Sequence, residues 1–191
     1  MCNLYRLTTS AQAIRQLFEA MAGETPNLPP ALDIYPGHAA PVVVADGGTR
    51  SLSRMAWGVP PPPGVARPIT NVRNLASPFW RPLLGVAHRA LVPASAFAEW
   101  TDRPDPETGR KRKVWFALHS APLFAFAGLW RMAQGEPRFA FLTCPPNATV
   151  GAVHPKAMPV LLSGERADAW LAGEEAAGFQ QPWPDADMVV A

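Results

Sequence analysis

Cys2 offers the most distinctive chemistry in this chain because it directly follows Met1. Loss of that methionine would give Cys2 a free α-amine beside its thiol. Such a 1,2-aminothiol condenses with an aldehyde: the amine forms an imine, and the thiol closes on the imine carbon to give a thiazolidine ring. The amine has an ordinary pKa of about 7.7–8.0 and the thiol one of about 8.5, so both are partly nucleophilic at neutral pH.

Three further polar spots lie at the edges of apolar, strand-like segments. Asn71 and Arg73 follow a proline-rich loop. Glu99 lies between aromatic residues, where loss of water would raise its pKa toward a useful acid–base range. His154 is predicted to stand at the start of the next strand. Together with Cys2, these residues are candidates for an active site.

Each of these residues also fits a structural role when taken singly. Asn71 and Arg73 are typical of a turn and a surface, Glu99 could pair with an arginine, and His154 could be a hydrogen-bonded core histidine. Trp57, which ends another predicted strand, fits core packing as well as base stacking. The residue types therefore leave both interpretations open.

Composition indicates a globular protein of one domain, which we expect to span residues 1–191. Hydrophobic residues make up 48% of the chain and charged residues 17%, unlike a disordered protein. No apolar run approaches the roughly 20 residues of a membrane span. The net charge of +2 permits nucleic-acid binding without requiring it.

The two cysteines, Cys2 and Cys144, form no disulfide framework and stand in no metal-ligand spacing with the four histidines. We therefore expect no metal and no cofactor, and a reducing, cytoplasmic setting.

The pattern predicts an α+β fold, with a curved, largely antiparallel β-sheet or barrel-like core and a few short flanking helices. Short apolar runs alternate with turns rich in the 23 prolines. Asp46-Gly47-Gly48 predicts a hairpin turn. One helix is predicted from Thr9 or Ser10, with Ile14, Leu17, Phe18 and Met21 on one face, and another from Ser163. The runs that predict strands are 41–44, 52–57, 90–92, 97–100, 114–118, 124–130, 139–143 and 160–162.

An ordered set of motifs resembles the SRAP family (SOS response-associated peptidase), whose members crosslink to abasic sites in single-stranded DNA. The resemblance extends over about residues 1–171 and leaves 172–191 as a C-terminal tail. The motifs are Met1-Cys2, Tyr35-Pro36-Gly37, Trp57-Gly58, Asn71-Val72-Arg73, Arg89 to Pro93 with Phe97 to Trp100, and His154 to Pro159.

The resemblance implies that Cys2, freed of Met1, attacks the C1′ aldehyde of the opened abasic sugar and closes a thiazolidine. Glu99 would move protons during ring opening and imine formation. His154 would handle sugar and imine protons, and would serve in β-elimination or crosslink reversal. Asn71 would hold the sugar or the Cys2 backbone. The family name implies that Met1 is removed autocatalytically, although a methionine aminopeptidase could also remove it.

The resemblance also implies a DNA-binding set. Arg73 would bind the flanking phosphate, and Arg81 and Arg89 are further phosphate-binding candidates. Trp57 and the loop at 60–63 would wedge or stack beside the lesion. The implied partner is single-stranded DNA with abasic sites, bound by a monomer near the nucleoid.

The chain departs from the family pattern near these residues. Asn3-Leu4 stand where the family often has Gly-Arg, so an arginine after the cysteine is missing. Leu75 replaces a glutamate of the Asn71 motif, and the segment from His154 to Pro159 is one residue longer than usual. These changes affect DNA contacts and fine geometry more than the proposed reacting groups.

Two other functions remain open from the residues. Cys144, ten residues before His154, could serve a thiol hydrolase or peptidase. Alternatively, the basic segment Arg103–Lys113, predicted as a hairpin loop, could serve a noncatalytic single-stranded nucleic-acid-binding module.

Overall fold

The protein is described by a computed structural model that covers residues 2–23, 27–29 and 31–190. Strands dominate this part of the chain. In chain order they are β1 (Tyr5–Leu7), β2 (Ala22–Gly23), β3 (Leu32–Ile34), β4 (Ala39–Asp46), β5 (Thr49–Trp57), β6 (Asn71–Val72), β7 (Arg89–Ala94), β8 (Ala96–Trp100), β9 (Lys113–Leu118), β10 (Phe124–Ala133), β11 (Glu136–Cys144), β12 (Met158–Pro159), β13 (Leu161–Leu162) and β14 (Met188–Val190).

The larger sheet closes on itself as a small barrel. Antiparallel pairing joins β5 to β4, β4 to β7, β7 to β10 and β10 to β11. The ring is completed by parallel pairing of β11 with β5, with Phe139 opposite Trp57. Alternating side chains in so small a barrel fill its interior. The predicted barrel-like, largely antiparallel core is confirmed.

The second sheet has the order β14-β9-β8-β1-β3. It is joined to the barrel through Ser95, which separates β7 from β8. The Ser95 hydroxyl accepts a hydrogen bond from the Thr8 backbone N–H. This junction brings β1, which directly follows the Cys2 segment, beside β8, which carries Glu99.

An aromatic cluster fills the space between the two sheets. Tyr5 and Phe97 come from the second sheet, and Phe126 and Phe141 come from the barrel. The ring centroids of Phe126 and Phe141 lie 4.5 Å apart, and Tyr5 packs edge-on against Phe126 at 5.3 Å. Burial of these large rings is a major source of stability. It also ties the N-terminal strand to the barrel.

The helices are short and flank the sheets: α1 (Ala11–Leu17), α2 (Ala148–Gly151) and α3 (Glu165–Ala172). Ser10 caps α1 by accepting from the Ala13 N–H, as predicted. Ile14 and Phe18 are buried, but Leu17 and Met21 are exposed. The predicted four-residue apolar face is therefore wrong, because this helix buries only a narrow stripe.

α3 begins after Gly164 and not at Ser163 as predicted. Gly164 has a φ of 50°, and Gly173 ends the helix in the left-handed region at a φ of 94°. A Cβ at Gly173 would also meet Val86 Cγ2 at 2.5 Å. Both helix ends therefore depend on glycine.

The segment after Gly173, for which the pattern predicts no element, packs against the rest of the structure. Its strand β14 extends the second sheet by pairing with β9. Gln180 Nε2 donates to the carbonyls of Arg73 and Thr143. The C-terminal segment thus contacts the strand ends that carry candidate site residues.

Candidate functional site

Cys2 lies in the interior with 1% of its surface exposed. Its Sγ lies 3.4 Å from the Leu4 carbonyl oxygen and 3.9 Å from that of Ala98, and the thiol can donate to both. The Ala98 N–H in turn donates to the Leu4 carbonyl. Burial raises the pKa of the Cys2 thiol far above its ordinary value, and the negative charge of Glu99 raises it further. The resting sulfur is therefore a protonated thiol.

Asn71 holds the Cys2 backbone. It lies on β6, whose parallel pairing with β11 fixes its place beside Phe141. Asn71 Nδ2 donates to the Cys2 carbonyl at 2.9 Å and to Thr70 Oγ1 at 2.8 Å. Its Oδ1 is buried and has no hydrogen-bond partner among the described residues. The amide therefore positions Cys2 and keeps one acceptor for another group.

Glu99 and His154 form a carboxyl–imidazole pair, and the negative charge of Glu99 acts on the Cys2 thiol. Glu99 Oε2 lies 3.9 Å from His154 Nε2, and Glu99 is 2% exposed. Burial raises the pKa of Glu99 to about 7, whereas burial lowers the pKa of His154. Glu99 thus changes protonation state close to neutral pH, as a group that exchanges protons with a substrate must. Burial favours the neutral form of His154.

His154 lies in a turn. The prediction that it stands at the start of a strand is therefore wrong. Its backbone N–H donates to the Val150 carbonyl at the end of α2. The preceding residue, Val153, accepts from the Asp102 N–H at 3.0 Å, which joins the turn to the β8–β9 hairpin. Lys156 and Lys111 also contribute to the lowered pKa of His154. Asp102 acts in the opposite direction, so charges of both signs lie near the histidine.

Arg73 lies beside the His154 turn. Its Nη1 donates to the carbonyls of Cys144 and Lys156, at 3.2 and 3.1 Å. The side chain is exposed, and these two bonds engage only Nη1 within the described ranges. The exposure of Arg73 is compatible with the predicted phosphate-binding role, which stays a prediction.

Trp57 and Arg89 do not fit the predicted DNA-binding role. Trp57 is fully buried, its ring lies 5.1 Å from that of Phe141, and its Nε1 donates to the Thr70 carbonyl. Arg89 is 3% exposed and lies over the Trp170 ring at 4.3 Å. These two predictions are wrong, because neither side chain presents a surface to a nucleotide.

Arg81 and Trp100 are exposed to solvent. Arg81 begins a short 3₁₀ turn at 81–83, and its phosphate-binding role stays a prediction. Trp100 is 41% exposed, because successive side chains on β8 point to opposite faces and Glu99 points inward.

Tyr5 is a buried polar residue close to Cys2 in sequence that the sequence interpretation did not single out. It is fully buried, and its hydroxyl has no hydrogen-bond partner among the described residues. Strand alternation could have indicated its inward orientation, because Tyr5 and Leu7 are buried whereas Arg6 is paired with Asp33. A polar group at a buried position three residues after Cys2 was the available signal.

Cys144 is not arranged as a nucleophile. It is completely buried at the end of β11, and its Sγ lies 3.8 Å from the Met158 carbonyl. Burial raises the pKa of its thiol to about 11. A nucleophilic cysteine needs the opposite shift, so the structure weighs against the Cys144–His154 hydrolase.

No three side chains of the described ranges cluster in a way that would hold a metal ion. In the same ranges, no helix is long and apolar enough to cross a membrane.

Comparison with known proteins identifies the family. The model of the SOS response associated peptidase (SRAP) family matches residues 1–190. The chain belongs to this family. The match continues past residue 171, where the predicted resemblance ended, and includes the segment that forms β14.

A curated relative is the abasic site processing protein YoaM of Bacillus subtilis, which is 32% identical over 155 residues. The alignment covers 74% of this chain and 66% of the relative, slightly less than two thirds of its length.

Solved structures share the fold. A protein from Bacteroides thetaiotaomicron superposes with a TM-score of 0.78 at 16% identity, covering 99% of this chain and 90% of that one. A phage-related protein from Bordetella bronchiseptica gives a TM-score of 0.77 at 19% identity, with 100% and 93% covered. At these identities the likeness supports the fold alone.

Proposed function

We propose that this SRAP-family protein processes abasic sites in DNA by forming a covalent crosslink through Cys2. The observation that carries the proposal is the buried group around Cys2, in which Asn71 holds the Cys2 carbonyl and Glu99 faces His154. The name of the relative from Bacillus subtilis, an abasic site processing protein, supports the same class of substrate.

The proposed reaction needs both nucleophiles of Cys2. Removal of Met1 exposes the α-amine, which adds to the C1′ aldehyde of the ring-opened deoxyribose and loses one water to form an imine. The thiol then adds to the imine carbon, and the imine nitrogen gains the proton that the thiol lost. The product is a thiazolidine that links C1′ to the protein.

Glu99 and His154 supply the proton transfers in this scheme. A carboxyl with a pKa of about 7 both accepts and donates a proton at neutral pH, which suits sugar ring opening and loss of water. Burial favours the neutral form of His154, which would accept and return the protons of the sugar hydroxyl and the imine. The same pair would serve β-elimination at the sugar and reversal of the crosslink.

DNA contacts in this proposal come from Arg73 and, further out, Arg81. Exposed guanidinium groups bind phosphates and set the register of the strand without reading bases. Lys111 and Lys156, which act on His154, add positive charge near the site in a chain that lacks the arginine of the family's Gly-Arg. We propose single-stranded DNA as the substrate, bound by a monomer at the nucleoid in the cytoplasm.

Exposure of the Cys2 amine is part of the proposed function. Autocatalytic cleavage of the Met1–Cys2 bond fits the family description as a peptidase. The Glu99–His154 pair is the acid–base system that such a cleavage would use.

The direct experiment incubates the protein with single-stranded DNA that carries one abasic site and separates the products on a denaturing gel. We expect a heat-stable covalent band that is lost in Cys2→Ala and after acetylation of the N-terminal amine. Cys144→Ala is the matched control, because it removes the other thiol, and it keeps the band. A band that persists in Cys2→Ala contradicts the proposal.

A noncatalytic nucleic-acid-binding module is distinguished by the same gel. Such a module would retard the DNA on a native gel but give no covalent band under denaturing conditions.

A further inference from the structure

The connection between β11 and β12, residues 145–157, carries His154. It contains α2, a helix of four residues, and a helix this short is not stable by itself in water. The Val150 carbonyl of α2 accepts a hydrogen bond from the His154 backbone N–H at 2.8 Å. The place of His154 beside Glu99 therefore depends on the contacts that hold α2.

Two side-chain contacts join the start of α2 to the C-terminal part of the chain. Asp185 Oδ1 accepts from the Thr149 backbone N–H at 2.7 Å, across 36 residues of sequence. Asn147 Nδ2 donates to the Trp183 carbonyl at 2.9 Å, while Asn147 Oδ1 caps the helix by accepting from the Val150 N–H. The N–H groups of a first turn have no partner within their own helix, so Asp185 supplies a bond that α2 cannot make by itself.

The segment 180–187, which provides these contacts, is itself fixed at both ends. At its start, Gln180 Nε2 donates to the carbonyls of Arg73 and Thr143, each at 2.9 Å. At its end, the Asp187 carboxylate accepts from the Ser120 N–H at 2.8 Å and from the Ser120 hydroxyl at 2.6 Å. β14 follows directly and pairs with β9. A segment anchored in this way can hold α2 in place.

Other polar contacts of the connection act elsewhere along it. Arg73 Nη1 donates to the carbonyls of Cys144 and Lys156, close to the two ends. The Asp102 N–H donates to the Val153 carbonyl. None of these three bonds involves the first turn of α2, so they do not duplicate the contact made by Asp185.

We infer that Asp185 is a positioning residue for the proposed reaction: by fixing the start of α2, it holds the His154 imidazole opposite Glu99. The Asn147–Trp183 bond fixes the same end of the helix. The inference rests on the proposed crosslinking function and deepens it, because His154 handles the sugar and imine protons in that scheme. Asp185 itself is exposed and transfers no proton, so it acts through α2.

The first test needs no DNA. Amide hydrogen exchange, followed by NMR, compares Asp185→Ala with the parent protein. We expect exchange at Thr149 and His154 to become roughly fivefold faster, the factor to which a typical helix cap corresponds. Unchanged exchange at His154 overturns the inference, whether or not the protein crosslinks DNA.

The second test asks whether Asp185 acts through His154. Single-turnover crosslinking to abasic single-stranded DNA is measured for the parent, Asp185→Ala, His154→Gln and the double variant. Asp185→Ala should slow the parent roughly tenfold, because a small misplacement of a reacting group is costly. The same change should slow His154→Gln by less than about twofold, since the group that it positions is already gone. Equal slowing in both backgrounds, or no slowing of the parent, overturns the inference.

Asp185→Asn is the conservative variant, because its amide oxygen can still accept from the Thr149 N–H. It should crosslink within about twofold of the parental rate, since asparagine and aspartate cap helices about equally well. If Asp185→Asn is as slow as Asp185→Ala, the hydrogen bond does not carry the effect and the inference fails.

Ser10→Ala is the matched control, because Ser10 caps a different helix, α1. This variant should lose a similar amount of thermal stability and keep the parental crosslinking rate. If it slows crosslinking as much as Asp185→Ala does, the effect belongs to general stability and the inference fails. If the parent does not crosslink abasic DNA, the proposed function fails, while amide exchange at His154 still decides whether Asp185 holds the turn.

Discussion

Glu99 is the residue whose environment most clearly prepares it for chemistry. Its carboxyl is buried beside His154, and one oxygen has no partner among the described residues. An exposed glutamate with the ordinary pKa of 4.5 is almost fully ionised at pH 6, but burial raises the pKa of Glu99 to about 7. The carboxyl is therefore half protonated at the pH at which the protein would work.

Glu99→Gln should slow crosslinking by roughly 10²–10³-fold, because positioned acid–base groups contribute about 10²–10⁴-fold. The rate is measured on abasic single-stranded DNA from pH 5 to 9. The parent should show an ionisation near pH 7 that the variant lacks. A variant profile that keeps this ionisation would assign it to another group.

The same carboxyl makes folding stability depend on pH. Its pKa is raised from 4.5 to about 7 on folding, so the folded state binds its proton more tightly than the unfolded state does. This stabilisation is complete below pH 4.5 and is lost as pH rises to about 7. Relative to Glu99→Gln, the parent should lose on the order of 2–3 kcal/mol of unfolding free energy between pH 4.5 and 7.5.

Urea denaturation of the two proteins at several pH values measures this difference. A difference that stays constant between pH 4.5 and 7.5 would show that the folded protein does not raise the pKa of Glu99.

Arg73 offers a test of DNA binding that is separate from chemistry. Arg73→Gln should weaken binding to single strands of any sequence and lower the slope of log affinity against log salt by about 0.7. Arg89→Gln is the contrasting variant: since Arg89 is buried on Trp170, it should destabilise the fold and leave the salt slope unchanged. Fluorescence anisotropy with labelled DNA measures both, and equal slopes for Arg73→Gln and the parent would remove Arg73 from the DNA interface.

At the scale of elements, the β8–β9 hairpin is the part of the fold that joins positive charge to the site. Its strands are antiparallel, as predicted, with Trp100 opposite Lys113. The hairpin contacts the His154 turn through the Asp102–Val153 hydrogen bond. Lys111 in this hairpin acts on the pKa of His154, so at least this positive charge lies near the proposed reaction.

Replacing Arg110, Lys111 and Arg112 with glutamine should weaken DNA binding at low salt and less so at high salt, because exposed charges are screened. It should also raise the pKa of His154, since Lys111 contributes to lowering it. NMR titration of the His154 ring measures the second effect. An unchanged histidine titration together with unchanged salt dependence would contradict the proposed role of the hairpin.

The elements also show where sequence patterns succeed and fail. The short apolar runs predicted most strands because strand side chains alternate or are buried on both faces. The motifs located Asn71, Glu99 and His154, whose contacts the structure then showed. The predicted DNA-stacking role of Trp57 was wrong because β5 buries Met55 and Trp57 on the same face. The alternation of side chains along a strand could have indicated this burial.

Arg89 could not be predicted in the same way. It opens a strand whose six residues are all buried, and its guanidinium is held by Trp170, 81 residues later in the chain. Such long-range contacts leave no local pattern. The orientation of Tyr5 was accessible from β1, but its lack of a hydrogen-bond partner depends on the packing of both sheets.

At the scale of the whole molecule, the aromatic cluster between the sheets couples the site to the barrel. Tyr5 from β1 and Phe126 from β10 lie in direct contact, so the strand after Cys2 and the barrel share one core. Phe126→Ala should cost about 3–5 kcal/mol of unfolding free energy. Because the core is shared, the loss should appear in a single transition.

Urea unfolding followed in parallel by tryptophan fluorescence and far-ultraviolet circular dichroism measures this cooperativity. Coincident transitions are expected for the parent and the variant. Separate transitions would show that the sheet carrying Cys2 unfolds independently of the barrel.

The central claim is that both the amine and the thiol of Cys2 join the abasic sugar. Tandem mass spectrometry of a trypsin-digested crosslink tests it most directly, because trypsin cleaves after Arg6 and releases the peptide 2–6. We expect this peptide to lack Met1 and to carry the sugar remnant on Cys2, with its thiol protected from alkylation. A remnant on a lysine, or on a peptide that retains Met1, would contradict it.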